Sequence, residues 1–271
     1  MNSLLFVIWD VSPEAFEIPF IDWPVRWYGL LFVFGLLVSQ YIMFYVFKIE
    51  GKTKKNVEDL TVYVVLGTII GARLGHVIFY DLKDYLDNPI EIFQVWKGGL
   101  ASHGGAIGIL TAIYLYCRRY TFDFLWLMDR LVIVVPITAA CIRVGNLMNS
   151  EIIGKVSDAP WAFVFKQAYP PELALDPRHP AQLYEAIVCI FLMGLQYYLW
   201  KNRRHQLGQG FMFGIFMIIL FTLRIIDEFF KINQVAFEDS MQFNMGQWLS
   251  VPFVLAGVYL IVRAQKLQKL A

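Results

Sequence analysis

Seven long apolar runs dominate this sequence and constrain its fold more than any other feature. A helix needs about 20 mostly apolar residues to cross the roughly 30 Å of hydrocarbon in a bilayer. The runs approach that length and lie near residues 27–47, 60–80, 102–117, 125–141, 182–200, 211–230 and 246–263. The expected fold is all-α: a polytopic integral membrane protein with about seven transmembrane helices, forming a single membrane-embedded domain over residues 1–271.

The composition supports a bilayer as the solvent. Apolar residues make up 58% of the chain and charged residues only 17%, against about 45–50% and about 25% in soluble proteins. A soluble protein with this bias would expose more apolar surface than monomers tolerate. The formal net charge is +1, which gives no strong field to attract nucleic acid or another polyanion.

The basic residues predict the orientation, because Lys and Arg in short loops stay on the cytoplasmic side. Segments 48–59, 118–124, 201–210 and the tail after Val262 hold 12 Lys or Arg and 4 Asp or Glu. The alternate segments hold 8 Lys or Arg and 14 Asp or Glu; they are 1–26, 81–101, 142–181 and 231–245. We therefore expect the N-terminus outside and the C-terminus inside. The first nine residues carry no basic side chain, so they do not resemble a signal peptide and indicate a retained outer segment.

Two outer connections have distinct patterns. Segment 142–181 contains five prolines, which argue against a continuous helix and predict a small extracytoplasmic head. Segment 81–99 has Asp81, Asp84 and Asp87 among large apolar residues, which predicts an amphipathic piece lying along the membrane interface. Gly67, Gly71 and Gly75 repeat every four residues, a spacing typical of close helix packing.

Ionisable residues inside apolar runs are costly and indicate function. Arg73 and Arg224 both fall in the outer halves of their runs. Asp227 lies three residues after Arg224, and Glu228 lies four residues after it. Either carboxylate can therefore share the helical face of this arginine. A purely structural ion pair is the alternative interpretation.

His103 stands at the outer start of the third run, beside Gly104 and Gly105. Free N–H groups at a helix N-terminus attract phosphate and favour a neutral imidazole that can accept a proton. A packing histidine beside glycines is the alternative.

The stretch from Arg143 to Gly154 is the most specific signal in the chain. It combines Arg143, Asn146 and Glu151 with glycines, and we expect it to form a turn at headgroup depth. Guanidinium, amide and carboxylate groups suit a phosphate and its hydroxylated neighbours. Tyr28 reaches the same depth from the first run, where an interfacial tyrosine is equally typical.

No metal or organic cofactor is expected. The four histidines are scattered without zinc-ligand spacing, and the three cysteines lie in or at the ends of apolar runs without a paired spacing. Cysteines in such surroundings usually behave as small apolar residues.

Six motifs in order resemble the prolipoprotein diacylglyceryl transferases of the bacterial cytoplasmic membrane. They cover nearly the whole chain and begin with Arg26-Trp27-Tyr28-Gly29, Gly71-Ala72-Arg73-Leu74-Gly75 and Gly98-Gly99 followed by Ser102-His103-Gly104-Gly105. The others are Arg143 to Gly154, His179-Pro180-Ala181-Gln182-Leu183-Tyr184-Glu185 and Arg224-Ile225-Ile226-Asp227-Glu228-Phe229-Phe230-Lys231. The sequence departs from the family at three positions. Ile142 stands where the family usually has glycine, Ala181 where serine is common, and Lys231 where arginine is common.

The resemblance implies a reaction in which the diacylglyceryl group of phosphatidylglycerol moves to the lipobox cysteine of a prolipoprotein. A thioether forms and glycerol phosphate leaves. The active site would face the extracytoplasmic side, with the bilayer, phosphatidylglycerol and the prolipoprotein as partners and no nucleic acid.

The expected catalytic residues are His103, as the base, and Arg143 and Arg224, at the phosphate. The expected substrate-binding residues are Tyr28, Arg73, Arg143, Asn146, Glu151, Gly154, His179, Arg224 and Glu228.

A membrane transporter of a small polar or lipidic solute is the main alternative, and it requires a polar path through both leaflets. The polar residues instead gather toward one side. A seven-helix receptor would share the topology without explaining the motifs. An intramembrane serine protease would need an activated serine, and no suitable Gly-x-Ser motif precedes a helix.

Overall fold

Long helices carry most of the structure. The computed structural model describes residues 6–19, 22–232 and 241–270. Within these ranges the long helices are α1 (Trp27–Ile49), α2 (Lys54–Phe79), α4 (Ser102–Tyr120), α5 (Phe124–Met148), α6 (Ala181–Arg203), α7 (Phe211–Asp227) and α8 (Met245–Leu270). The short helix α3 (Leu82–Asp87) follows α2. Residues 1–5 and 233–240, which the charge count assigns to outer segments, lie outside the described residues.

Five of the described helices are long and apolar enough to cross a membrane: α1, α2, α5, α6 and α8. The chain is therefore a multi-pass membrane protein. Helices α4 and α7 coincide with the other two apolar runs, but α7 has 17 residues and α4 has 19 with a polar first turn.

The fourth apolar run ends near residue 141, but helix α5 continues to Met148, because no proline interrupts residues 142–148 and the helical hydrogen bonds outlast the apolar pattern. Arg143 and Asn146 therefore lie in the last turns of α5, and the irregular proline-rich segment begins after Met148. Ser150 and Ile152 have φ values of 51° and 56°, in the left-handed region, and the chain leaves the helical path there. The limits of the membrane span itself stay a prediction.

Four short strands were not expected from the hydropathy pattern. They are β1 (Val7–Trp9), β2 (Glu14–Ile18), β3 (Trp23–Arg26) and β4 (Phe163–Phe165). Strands β2 and β3 form an antiparallel pair, and β1 pairs in parallel with β4. The second pair joins the N-terminal segment to the proline-rich segment after α5.

The chain forms two compact units, divided within α1 and α5. One unit comprises Met1–Tyr41 and Met128–Ala271, and the other comprises Ile42–Leu127. We call them the large and the small unit. Whether they act as one domain over 1–271 stays a prediction.

Helices α2 and α4 of the small unit meet along glycines, as the spacing of Gly67, Gly71 and Gly75 predicts. A Cβ atom at Gly71 would lie 2.5 Å from the carbonyl oxygen of Gly104, and one at Gly108 would lie 2.1 Å from that of Gly67. Both obstacles are backbone atoms, which cannot move aside without separating the helices. The packing interpretation is confirmed.

The large unit fixes helix α7 at its N-terminus through a buried carboxylate. Asp129 on α5 is 3% exposed and accepts hydrogen bonds from the main-chain N–H groups of Gly210 (2.7 Å) and Phe213 (2.8 Å). These are among the N–H groups that a helix start leaves without intrahelical partners. Asp129 therefore caps α7 from a neighbouring helix.

The irregular proline-rich segment after α5 has its own small core. Leu147, Ile153, Phe165 and Ala168 are buried together, and the indole of Trp9 donates a hydrogen bond to the carbonyl oxygen of Leu147 (3.0 Å). This core anchors the turn that carries Glu151 to the end of α5.

The glycine contact makes a direct prediction. Gly108→Ala should lower the free energy of unfolding of the detergent-solubilised protein by about 2 kcal/mol, because an added Cβ overpacks two backbones. Gly194→Ala is the matched control, since nothing lies within 4 Å of a Cβ there and alanine favours a helix. Equal thermal unfolding midpoints for Gly108→Ala and the unchanged protein would contradict the packing argument.

Candidate active site

A cavity of about 610 Å³ opens among helices α5, α6 and α7 of the large unit. Its charged lining residues are Arg143, Glu185, Arg224 and Asp227. Each lies one to two turns nearer to the C-terminal ends of α5 and α7, or to the N-terminal end of α6, than the apolar lining residues Ala139, Val188, Cys189, Leu220 and Phe221. The apolar residues Leu223, Ile226 and Phe230 also line the cavity near Arg224 and Asp227. The charged groups are therefore confined to one end of the cavity while apolar residues line both ends, which matches an amphiphilic ligand.

Arg143 is held by side chains from two elements. Its Nε lies 2.5 Å from Glu185 Oε2 in an ion pair, and its Nη1 donates to Asn146 Oδ1 at 3.3 Å. The amide of Asn146 in turn donates to Glu151 Oε1 at 2.7 Å, and the amide of Asn149 donates to the same oxygen at 3.1 Å. The predicted signature thus forms one connected polar network.

Glu151 sits in a strained turn. Its neighbours Ser150 and Ile152 both adopt the left-handed region, which is unusual for a β-branched residue. The buried amide of Gln182 donates to the main-chain carbonyl of Glu151 at 2.6 Å, while the side chain of Glu151 remains exposed. Strain of this kind clusters at functional sites, and here it presents a carboxylate beside Asn146.

Lys231, four residues after the end of α7, is more deeply buried than Arg143 or Arg224. It is 4% exposed, and its Nζ lies 2.5 Å from Glu185 Oε1, 2.8 Å from Asp227 Oδ2 and 4.0 Å from Glu228 Oε1. Glu185 therefore connects Lys231 to Arg143, with one oxygen toward each cation. A buried carboxylate is stable when cations and hydrogen bonds surround it.

Among the described residues, Arg224 has no such close partner. Its side chain is 48% exposed, and its Nε lies 3.9 Å from Glu228 Oε1. The other oxygen of Glu228 accepts a hydrogen bond from the amide of Asn244 at 2.9 Å. The expected pairing of Arg224 with Glu228 is present but loose, so the guanidinium keeps most of its donors available to a ligand.

His179 and Gly154 meet at the cavity wall. The ring of His179 lines the cavity, and its Nδ1 lies 3.0 Å from the hydroxyl oxygen of Tyr184. Gly154 donates its main-chain N–H to the carbonyl oxygen of His179 at 3.0 Å. A Cβ at Gly154 would come within 2.5 Å of that oxygen and 2.9 Å of the carbonyl oxygen of Phe230, so close backbone packing accounts for this glycine.

Tyr28 is the second residue of α1 and packs directly on α5. A Cβ at Gly145 would lie 2.8 Å from the ring of Tyr28 and 3.1 Å from its Cα. The absence of a side chain at Gly145 thus brings α1 against the helix turn that carries Arg143 and Asn146.

His103 and Arg73 belong to the small unit. His103 lies in the first turn of α4, at the helix start that its sequence predicts, and its Nε2 is 3.3 Å from the hydroxyl of Tyr80. Arg73 is 4% exposed. Its guanidinium donates to the carbonyl oxygens of Ile92 (2.9 Å), Gly98 (2.7 Å) and Gly99 (3.1 Å) and also to that of Glu91.

The donors of Arg73 are therefore largely engaged by the backbone of the segment after α3. This is a structural role that the sequence does not reveal, because the carbonyl partners carry no side-chain signal. A contact between Arg73 and substrate stays a prediction.

The sequence analysis assigned no role to Glu185 or Lys231, although both lie in quoted motifs. The sequence feature that could have identified them is a charged residue close to an apolar run. Glu185 lies one turn inside α6, and Lys231 lies four residues after the end of α7. Which cations a carboxylate joins depends on tertiary contacts that no local pattern shows.

Comparisons with known proteins identify the family of the chain. The family model described as prolipoprotein diacylglyceryl transferase matches residues 13–263. A relative from Porphyromonas gingivalis is 44% identical over 278 residues, covering 98% of this chain and 97% of the relative. One from Bacteroides fragilis is 43% identical over 272 residues, covering 96% of each chain.

A third relative, from Chloroherpeton thalassium, is 42% identical over 270 residues, covering 98% of this chain and 97% of the relative. All three carry the name phosphatidylglycerol-prolipoprotein diacylglyceryl transferase. The family match and the near-complete coverage lead to one conclusion: the chain belongs to the prolipoprotein diacylglyceryl transferase family.

Proposed function

We propose that this protein transfers the diacylglyceryl group of phosphatidylglycerol to the lipobox cysteine thiol of prolipoproteins. This is the first step of lipoprotein maturation in bacteria. Membership of the family and the names of relatives that are 42–44% identical over nearly the whole chain support this activity. No observation favours a transporter, since the charged lining of the cavity gathers at one end.

The reaction exchanges two bonds at one glyceryl carbon. The cysteine sulfur attacks that carbon and forms the thioether, while the bond from the carbon to the phosphate oxygen breaks. Glycerol phosphate leaves with the bonding electrons, and the thiol proton passes to a base. A thiolate is the reactive nucleophile, and the departing phosphate gains negative charge, which fixed cations stabilise in a site sheltered from water.

The observation that carries the proposal is that Arg143 and Arg224 line a single cavity. Arg143 is already ion-paired, whereas Arg224 is half-exposed and lies 3.9 Å from the carboxylate of Glu228. A lipid phosphate between them would gain charge-assisted hydrogen bonds from two guanidinium groups. The uncharged end of the cavity would accommodate the start of the acyl chains.

The neighbouring polar groups suit the glycerol headgroup. We assign Asn146 and Glu151 to its hydroxyl groups, because the exposed carboxylate of Glu151 lies beside the Asn146 amide. Glu228 would keep Arg224 in place without neutralising it. Glu185 and Lys231 are positioning residues, since they hold Arg143 without needing to touch the lipid.

His103 remains the proposed base. Support comes from the family resemblance and from its place in the first turn of α4. Tyr28 and His179 are proposed to contact the headgroup. Gly154 acts through backbone packing, and we propose that Arg73 holds the segment after α3.

We also propose that all seven long helices cross the inner membrane, with the N-terminus outside and the cavity open to the outer leaflet. The uneven distribution of Lys and Arg supports this orientation. Under this arrangement the C-terminal ends of α5 and α7 and the N-terminal end of α6 reach the extracytoplasmic side together.

The activity has a direct test. Purified protein in phosphatidylglycerol vesicles should add one diacylglyceryl unit to a synthetic lipobox peptide, detected as a mass gain, with release of glycerol phosphate. A peptide with serine in place of the lipobox cysteine should stay unchanged. An unmodified cysteine peptide together with solute flux across the vesicles would favour the transporter instead.

Removal of either cavity arginine should lower transfer strongly. Arg143→Ala and Arg224→Ala are each expected to reduce kcat/KM by roughly 100-fold or more, the usual effect of losing one donor to a developing anion. Arg118→Ala is the control, because Arg118 is exposed near the C-terminus of α4. Full activity in either cavity variant with normal membrane insertion would remove that arginine from the mechanism.

Glu185→Gln in the same assay separates positioning from binding. The variant should reduce kcat more than it raises KM, because Arg143 and Lys231 would lose their shared carboxylate. It should also lower the free energy of unfolding by about 3 kcal/mol, the cost of leaving buried charges unpaired. An unchanged kcat would show that Glu185 does not position Arg143.

The orientation can be checked by labelling single cysteines in intact cells, after the three native cysteines are replaced. A cysteine at exposed Asp158 should react with a membrane-impermeant maleimide, and one at exposed Asn202 should react only after lysis. The opposite pattern would place the cavity on the cytoplasmic side and refute the proposed topology.

A further inference from the structure

Three side chains form a hydrogen-bonded chain along one wall of the cavity. Trp161, Tyr184 and His179 all line it. The indole Nε1 of Trp161 donates to the hydroxyl oxygen of Tyr184 at 2.8 Å, and Nδ1 of His179 lies 3.0 Å from that same oxygen.

The positions of the hydrogens follow from donor chemistry. An indole N–H can only donate, so the oxygen of Tyr184 accepts from Trp161 and must direct its own single hydrogen elsewhere. Within the described ranges, its other hydrogen-bonding partner is Nδ1 of His179. Nδ1 is thus the acceptor within reach of the Tyr184 hydrogen, and a neutral imidazole that accepts at Nδ1 carries its own hydrogen on Nε2.

The ring of His179 is also fixed in orientation. It packs against the ring of Phe230 at a centroid distance of 5.2 Å and an interplanar angle of 76°. Its main-chain N–H donates to the carbonyl oxygen of Lys155 at 3.0 Å, and its carbonyl oxygen accepts from Gly154 at 3.0 Å. With the backbone, the ring plane and Nδ1 all held, Nε2 is the ring nitrogen left for a ligand.

We propose that Tyr184, supported by Trp161, fixes His179 as the Nε2–H tautomer, so that His179 is a neutral hydrogen-bond donor to the lipid phosphate beside Arg143 and Arg224. This inference rests on the proposed function. Tyr184 and Trp161 are positioning residues, and His179 is the group that touches the substrate. A neutral donor stabilises the departing phosphate without adding a third cation that would retain the product.

The tautomer can be measured directly. Full-length protein labelled with ¹⁵N-histidine, in phosphatidylglycerol nanodiscs near neutral pH, should show His179 with Nδ1 unprotonated and Nε2 protonated. His179→Gln identifies the signals by their loss. Tyr184→Phe should convert His179 to a mixture of tautomers, whereas Tyr198→Phe on the exposed face of α6 should leave the signals unchanged.

Activity should follow the tautomer. Tyr184→Phe is expected to lower kcat by roughly tenfold with little change in KM, on the scale of one hydrogen bond made in the transition state. Trp161→Phe should have a smaller effect, because Tyr184 can still donate to Nδ1. Tyr198→Phe should keep the activity of the unchanged protein.

Three results would overturn the proposal: a protonated Nδ1 in the unchanged protein, an unaltered tautomer in Tyr184→Phe, or a larger loss of kcat from Trp161→Phe than from Tyr184→Phe. The spectra require no turnover. If the unchanged protein transfers nothing to the lipobox peptide, the proposed function fails, and the spectra still decide whether Tyr184 sets the tautomer of His179.

Discussion

The arrangement of the large unit depends on one carboxylate. One oxygen of Glu185 on α6 accepts a hydrogen bond from Lys231, and the other forms an ion pair with Arg143. Without Glu185, Arg143 would lose its carboxylate partner and Lys231 would keep only Asp227 as a close one in the described part of the chain, and a buried charge left without compensation costs several kcal/mol. The shared carboxylate therefore joins α5, α6 and the chain after α7, and it leaves Arg224 as the less neutralised cation of the cavity.

Features that depend on local sequence could be predicted. All seven apolar runs coincide with helices, because the spacing of apolar residues and the length of a span leave little choice. The glycines of α2 were assigned to packing because residues four apart share one helical face. The first turn of α4 falls at Ser102 and His103, where the apolar run begins.

Features that depend on distant contacts could not be predicted. The apolar run of α5 ends before Arg143 while the helix goes on, because hydropathy follows side chains and the helix continues as long as its backbone remains paired. The partners of Arg73 are main-chain carbonyls, and those of Glu185 lie far away along the chain. Strands β1 and β4 are three residues each, too short for an alternating pattern to identify.

Helix α7 has restraints at both ends. Asp129 caps its first turn, and Asp227 and Glu228 at its last turn lie within reach of Lys231. In the role proposed for it, Arg224 would adapt to an incoming headgroup chiefly through its own side-chain torsions. Ligand binding would then cost the rotamer entropy of one arginine rather than the ordering of a whole helix, and successive lipids would meet a preorganised backbone.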